Sequence, residues 1–243
     1  MSAGKVHSRK YLPLEISSAE MQAIEDNAEK MGLSRRLMME NAGAGTADFI
    51  ASKTNVIGKR ILAVCGTGNN GGDGFVTVRH LRNLGAKIKV VLIGNPSEIR
   101  TEEARANWSL IEQMENIEKF YIIDDSQIIR FIKELNQSDL IIDAILGTGV
   151  KGKLREPILS VVNEINKANK LIFAVDTPTG LDPSTGEIHG LAVKAKYTIT
   201  FHKMKKGFGF RKEYVGDVFV REIGIPVEAE FFITFESTSG ANK

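Results

Sequence analysis

The sequence predicts an α/β fold: a mostly parallel sheet covered by helices on both faces, with two further helices at the N-terminal end. Three observations carry this reading. Runs such as ILAVCG (61–66), DLIIDAIL (139–146) and LIFAVDTP (171–178) are almost continuously apolar, which marks strands buried on both faces. Stretches with helical spacing alternate with these runs, as expected for parallel strands joined by right-handed helical crossovers. Polar, glycine-rich segments follow directly on three of the strands.

The elements follow in order. Residues 1–15 are polar and mixed and read as a flexible arm. Ser17 and Ser18 then open a helix in which Met21, Ile24, Ala28 and Met31 share one face, and Gly32 ends it. A second helix starts near Ser34 and runs to Lys53. Gly43 and Gly45 inside it cost about 1 kcal/mol each against Ala, so close packing or close approach to a ligand is the expected reason for them. From Lys59 the rhythm changes to strand 61–66, helix 75–85, strand 87–94, helix 102–114, strand 119–124, helix 125–135, strand 139–146, helix 156–169 and strand 171–178. YTITF (197–201) and DVFVREI (217–223) add two strands, and the segment from 228 onward reads as one edge strand that then frays. There is neither an internal repeat nor a low-complexity linker. One domain over 16–235 is therefore expected, with 236–243 as a C-terminal tail.

Composition narrows the function classes. The chain has 243 residues, 42% apolar and 26% charged, which excludes a disordered polymer. A formal charge of +2 argues against a dedicated nucleic-acid surface. The one cysteine, Cys65, excludes an internal disulfide and a multi-cysteine zinc site, and fits a reducing compartment. The opening MSAGKVHSRK lacks the apolar stretch of a signal peptide, and no apolar run approaches the roughly 18 residues of a spanning helix. A soluble, cytoplasmic protein with no membrane or nucleic-acid partner is expected.

The chemistry gathers in the three polar segments. The first is Gly66-Thr67-Gly68-Asn69-Asn70-Gly71-Gly72-Asp73-Gly74. The second is Asp143 with Gly147-Thr148-Gly149-Val150-Lys151-Gly152-Lys153. The third is Asp176-Thr177-Pro178-Thr179-Gly180. In an open parallel sheet the carboxyl ends of the strands lie along one edge and ligands bind there, so these segments should converge on one crevice. The first reads as a glycine turn ahead of a helix, whose amides and positive dipole end suit phosphate. Gly66-x-Gly68-x-x-Gly71 also matches the dinucleotide fingerprint. The following strand, however, ends Ile93-Gly94-Asn95 with no carboxylate until Glu98, which disfavours a nicotinamide dehydrogenase. Lys151 and Lys153 read as cations of a phosphate-covering loop, or as ordinary loop lysines. Asp143 interrupts an apolar strand and needs a partner, a helix N-terminus or a cation. Asn70, Asp143 and Thr179 are all oxygen donors, a set that suits a hard cation such as potassium, sodium or magnesium rather than zinc.

Other residues read more blandly. His80 lies mid-helix and reads as a surface or packed histidine, while His202 follows a strand that ends at the crevice and reads first as a residue that does not touch the ligand. Cys65 reads as a packed, inert thiol, and Trp108, Met38 and Met39 as core or interface residues. Lys203, Lys205 and Lys206 read as a solvated face, or as an extension of a phosphate-binding patch.

At the three polar segments the chain resembles the NAD(P)H-hydrate epimerase family, also called the YjeF N-terminal domain. NNGGDG after a strand, DAILGTGVKG, and the stretch from Asp176 through Gly186-Glu187 carry the likeness. Met39-Glu40-Asn41-Ala42-Gly43 and Thr200-Phe201 with Lys205 and Gly207 add to it, so that it runs from about residue 16 to 224. The resemblance implies a Rossmann-like three-layer α/β/α sandwich, a homodimer, and a stand-alone epimerase acting beside a separate ATP- or ADP-dependent dehydratase. Its substrates would be the R and S hydrates of NADH and NADPH (NADHX and NADPHX). Carried over by motif, Asn69, Asn70, Gly71, Gly72, Asp73, Gly147, Thr148, Gly149, Val150, Lys151, Gly152, Lys153 and Asp176 would contact the hydrate. Asn70, Asp143 and Thr179 would hold a potassium ion. Thr179 stands where the family usually has Ser, and it keeps both oxygens.

The hydrate carries a hydroxyl on the ring carbon next to the ring nitrogen. The nitrogen lone pair expels that hydroxyl, and water re-adds to the planar iminium from the other face. Asp176, at a strand end beside the glycine segments, is the expected acid and base. The competing reading is a non-catalytic nucleotide- or protein-binding scaffold of the same fold. The polar residues Asn70, Asp73, Asp143 and Asp176 weigh against it.

Overall fold

The computed structural model describes residues 14–149, 152–188 and 190–230. In chain order the strands and α-helices are β1 (Glu15–Ile16), α1 (Ser18–Lys30), α2 (Arg35–Lys53), β2 (Arg60–Cys65), α3 (Asn69–Asn83), β3 (Lys87–Ile93), α4 (Glu102–Glu112) and β4 (Ile117–Ile122). Then come α5 (Ile128–Gln137), β5 (Leu140–Ala144), α6 (Ile158–Lys167), β6 (Leu171–Val175), β7 (Tyr197–Phe201), β8 (Met204–Lys205), α7 (Lys212–Val215) and β9 (Asp217–Arg221).

Seven strands form one parallel sheet in the order β4-β3-β2-β5-β6-β7-β9. Side chains on a strand alternate between faces. In β2, Ile61, Ala63 and Cys65 therefore enter one core while Leu62 and Val64 enter another. The first core packs Ile24 of α1, Met38 of α2, Phe75 of α3 and Trp108 of α4. The second packs Phe131 of α5 and Val161 and Ile165 of α6. Helices thus cover both faces, giving the α/β/α sandwich with a parallel sheet that the apolar runs imply.

The N-terminal helices start where their caps place them. Ser17 caps α1 in a reciprocal box with Glu20, and Ser34 caps α2 by accepting from Leu37 N. Gly43 and Gly45 are there for packing. A β-carbon on Gly43 would lie 2.3 Å from Val76 Cβ of α3, and one on Gly45 would lie 2.6 Å from Arg221 Nε of β9.

One sequence expectation changes, and two fall largely outside the described residues. Helix α3 begins at Asn69 rather than near residue 75, so Asn69–Gly74 is its first turn and a half and not a loop. Beyond β9 the chain forms a short 3-10 turn over Val227–Glu230, and the expected edge strand of the tail lies outside the described residues. Of the expected arm, residues 1–13 lie outside the described residues, and Glu15 at its end pairs in parallel with Met204.

Candidate active site

The sheet order reverses between β2 and β5, since β3 and β4 extend to one side and β6, β7 and β9 to the other. That reversal opens a crevice at the carboxyl ends of the two strands. There Gly66 N donates to Ala144 O at 3.0 Å, and a cleft of ≈ 370 Å³ opens above. Its walls come from Gly66–Asn70 and Asp73, from Ile145–Gly149, from Asp176 and Phe201, and from Met21, Gln22 and Glu25 of α1. Two of the three polar segments line the cleft directly, and the third contributes Asp176.

Close packing explains four of the glycines. A β-carbon on Gly66 would lie 2.1 Å from Ile145 O, and one on Gly71 only 1.9 Å from Gly66 O. One on Gly72 would meet Met39 Cε at 2.6 Å, and one on Gly74 would meet Ala144 Cβ at 2.7 Å. These residues let the start of α3 lie against β2, β5 and α2. Its first amides and positive end are thereby brought to the crevice. Gly71 and Gly72 are buried in that packing, and Asn69, Asn70 and Asp73 are the residues of the turn that face the cleft.

Beneath the cleft Asp143 is fully buried on β5. Thr179 donates to it twice, from N to Oδ2 at 2.8 Å and from Oγ1 to Oδ1 at 2.7 Å. Ile145 N adds a third bond to Oδ1 at 3.3 Å. Burial outweighs these bonds and pushes the Asp143 carboxyl up to about 6. Asn70 is buried beside Gly147, and neither its Oδ1 nor its Nδ2 has a hydrogen-bond partner among the described residues. A buried amide with both ends unpaired is costly unless a ligand satisfies it. Among the described residues no group of three or more His, Cys, Asp and Glu is arranged to hold a metal.

Asp176 is nearly buried at the end of β6 and has φ of 60°, a left-handed conformation that a non-glycine residue adopts at a cost. The turn is held tightly: Asp176 N donates to Ile199 O and Thr177 N to Val175 O, both at 2.7 Å. The side chain accepts from Thr200 Oγ1 at 3.0 Å and from Phe201 N at 3.4 Å, and Lys205 Nζ stands 3.4 Å from Oδ1. Glu25 of α1 faces the same space, with Arg35 Nη1 3.2 Å from its Oε2. Burial, reinforced by the Asp176 charge, raises Glu25 to about 7 against the opposing pull of Arg35 and Lys205. Burial, with Asp176, Glu25 and Glu103 nearby, also holds the Asp73 carboxyl well above the usual range.

The other sequence candidates fall as follows. Gly147, Thr148 and Gly149 line the cleft, Gly152 and Lys153 are exposed away from it, and Val150 and Lys151 lie outside the described residues. His202 is away from the cleft lining and pairs with Glu230 at 3.1 Å, and His80 pairs with Glu40 at 2.8 Å. Cys65 is buried, with its thiol pushed up by burial, and Trp108 packs against Phe75 and Tyr121. Met38 and Met39 line a smaller cavity of ≈ 60 Å³ that shares Glu25, Asn69, Asp73 and Phe201 with the cleft. The solvated lysine face is corrected: Lys205 is fully buried against Asp176, Lys203 bonds Glu230, and Lys206 pairs with Glu20 at 2.7 Å. Glu25 and Arg35 had no part in the sequence reading. The available signal was Glu25 four residues after Met21, one turn along the buried side of α1.

The model of the YjeF-related protein N-terminus matches residues 35–207. This chain belongs to the YjeF-related N-terminal family. The match spans Asn70, Asp143, Asp176 and Thr179 but not Glu25. The chain is 46% identical over 217 residues to a protein of Cenarchaeum symbiosum named NAD(P)H-hydrate epimerase, covering 89% of this chain and 98% of that relative. A Nitrosopumilus maritimus protein of the same name is 44% identical with the same coverage. A Methanothermobacter thermautotrophicus protein named bifunctional NAD(P)H-hydrate repair enzyme Nnr is 41% identical, and this chain spans 41% of its length. The crystal structure of yeast ynu0 superposes with a TM-score of 0.77 at 25% identity, over 92% of this chain and 97% of that one. The YjeF N-terminal cleft is thus formed by the segments at which the resemblance was read.

Proposed function

We propose that this cleft interconverts the R and S hydrates of NADH and NADPH, with Asp176 as acid and base. Family membership and the names of two near-full-length relatives support the epimerase activity. One observation carries the role of Asp176: it is the carboxylate lining the cleft that neighbouring donors hold in a left-handed turn. Strain of this kind persists only where surrounding structure enforces it, and it aims the side chain. As an acid, Asp176 gives its proton to the hydroxyl on the ring carbon while the ring nitrogen lone pair breaks the carbon–oxygen bond. In the reverse direction the Asp176 carboxylate acts as base on the water that adds from its own face. The start of α3 and the Ile145–Gly149 turn orient the phosphate-bearing part of the substrate through backbone amides.

The reading includes a potassium ion, and the unpaired buried amide of Asn70 supports it. Asn70, with its unpaired buried amide oxygen, Asp143 and Thr179 would hold it. Bound there, the ion supplies fixed positive charge for an anionic substrate and a partner for the Asp143 carboxylate. A homodimer in the cytoplasm, working beside a separate dehydratase, completes the reading. The larger repair enzymes in which a domain like this one occupies under half the length support the last point.

The test is a coupled assay with pure R-hydrate and an S-specific dehydratase. Adding the protein should speed repair well beyond the spontaneous rate, and Asp176→Asn should lower that gain by about 10²-fold with substrate binding retained. No acceleration by the wild-type chain would remove the enzyme reading and leave the binding scaffold.

A further inference from the structure

Inversion at the hydrated carbon imposes a geometric requirement, and the inference drawn from it rests on the epimerase reading. The hydroxyl leaves from one face of the nicotinamide ring, and the incoming water must add to the other face. A carboxylate beside one face reaches only one of those two oxygens. The cleft holds Asp176 at the end of β6 and, on the separate element α1, Glu25. We propose that Glu25 is the proton-exchanging group for the second face of the ring.

Several observations support this assignment. Glu25 borders both the main cleft and the smaller cavity joined to it. Its Oε2 is held by Arg35, whose guanidinium is fixed in turn by Asp26 and by Glu29 at 3.0 Å. Its Oε1 has no hydrogen-bond partner among the described residues. The charged groups around it are Arg35 from α2, Asp176 after β6, Lys205 from β8 and Asp73 from α3, with Glu103 of α4 beyond Asp73. Their balance with burial leaves Glu25 at about 7, so both of its protonation states are populated near neutrality.

The step balances as follows. Protonated Asp176 gives its proton to the leaving hydroxyl. The carbon–oxygen bond breaks, the nitrogen lone pair forms the iminium double bond, and water departs. A water oxygen then bonds the same carbon from the opposite face. The double-bond pair returns to nitrogen, and the Glu25 carboxylate takes the surplus proton. One proton has moved from Asp176 to Glu25, and no oxidant or reductant is required. The enzyme is left in the form that turns over the opposite epimer.

The experiment uses the full chain with single epimers of hydrated NADPH, resolving R and S chromatographically from pH 5.5 to 8.5. Glu25→Gln should lower kcat by about 10²-fold with KM within about threefold, and the inflection near pH 7 should vanish. Glu25→Asp should restore the inflection with part of the rate. Arg35→Gln, which removes the cation opposing the high titration of Glu25, should move the inflection upward. Wild-type kcat and pH profile in Glu25→Gln would overturn the proposal, as would an unmoved inflection in Arg35→Gln should Glu25→Gln not fold. An inactive wild-type chain would instead defeat the epimerase reading. Loss of activity in Asp176→Asn with full activity in Glu25→Gln would defeat only the role of Glu25.

Discussion

The ammonium of Lys205 lies 3.4 Å from Asp176 Oδ1, and the whole lysine is buried. The same Nζ donates to Phe201 O at 2.9 Å and Lys203 O at 3.2 Å, so one cation ties the carboxylate to the chain that leaves β7. Breaking a buried pair leaves an uncompensated charge at a cost of about 3–5 kcal/mol. Lys205→Met should lower stability by about that amount in urea titration and reduce epimerisation more than tenfold. A wild-type urea midpoint in this variant would show that the pair is not a structural tie.

The close approach of α3 to the sheet makes the glycines unequal. Gly71→Ala drives a methyl to 1.9 Å from a backbone carbonyl oxygen, whereas a β-carbon on Gly68 meets nothing within 4 Å. Overpacking against backbone costs roughly 1–3 kcal/mol or more. Thermal melts should therefore show a large loss for Gly71→Ala and little change for Gly68→Ala. Equal losses would mean that the turn has a looser packing than described.

Exchanging one hydroxyl for a methyl group tests the proposed potassium site. Thr179→Val deletes the hydroxyl that donates to Asp143 and accepts from Leu146 N at 3.0 Å. A ligand that binds only the folded state raises stability by RT ln(1 + L/Kd), where L is the free ligand concentration. Replacing sodium by potassium at constant ionic strength should raise the Tm of the wild type, and raise it less for Thr179→Val and Asn70→Ala. The same increment in all three proteins would place any potassium effect elsewhere.

Glu25 also makes stability depend on pH in a stated direction. Its folded value of about 7 lies above the ordinary 4.5, so the folded state binds the extra proton. The resulting stabilisation is complete below about pH 4.5 and is lost as pH rises through 7, an effect of about 3 kcal/mol at most. Urea titrations at pH 5 and pH 8 should show wild type losing more stability than Glu25→Gln on going to the higher pH. Equal losses would mean that Glu25 titrates normally.

Much of this molecule was legible in its sequence. Apolar runs separated by helical stretches identified a parallel sheet, because a strand buried on both faces has no polar side to show. The rule that ligands bind at strand carboxyl ends then grouped Asn70, Asp143 and Asp176. Local patterning could not show that NNGGDG is helical. Glycine and asparagine favour turns locally, and only the fit of α3 against Ala144, Met39 and Cys65 makes a helix with small residues the better solution. Nor could patterning distinguish buried Lys205 from its neighbours Lys203 and Lys206, because the burial of a charge is decided by what the chain brings opposite it. The sequence by itself determined the layers, the sheet and the chemical inventory of the crevice. Which charges face one another across it depends on the folded chain, which sets Glu25 of the first helix near Asp176 and Lys205, more than 150 positions further along, since electrostatic interaction depends on distance through space.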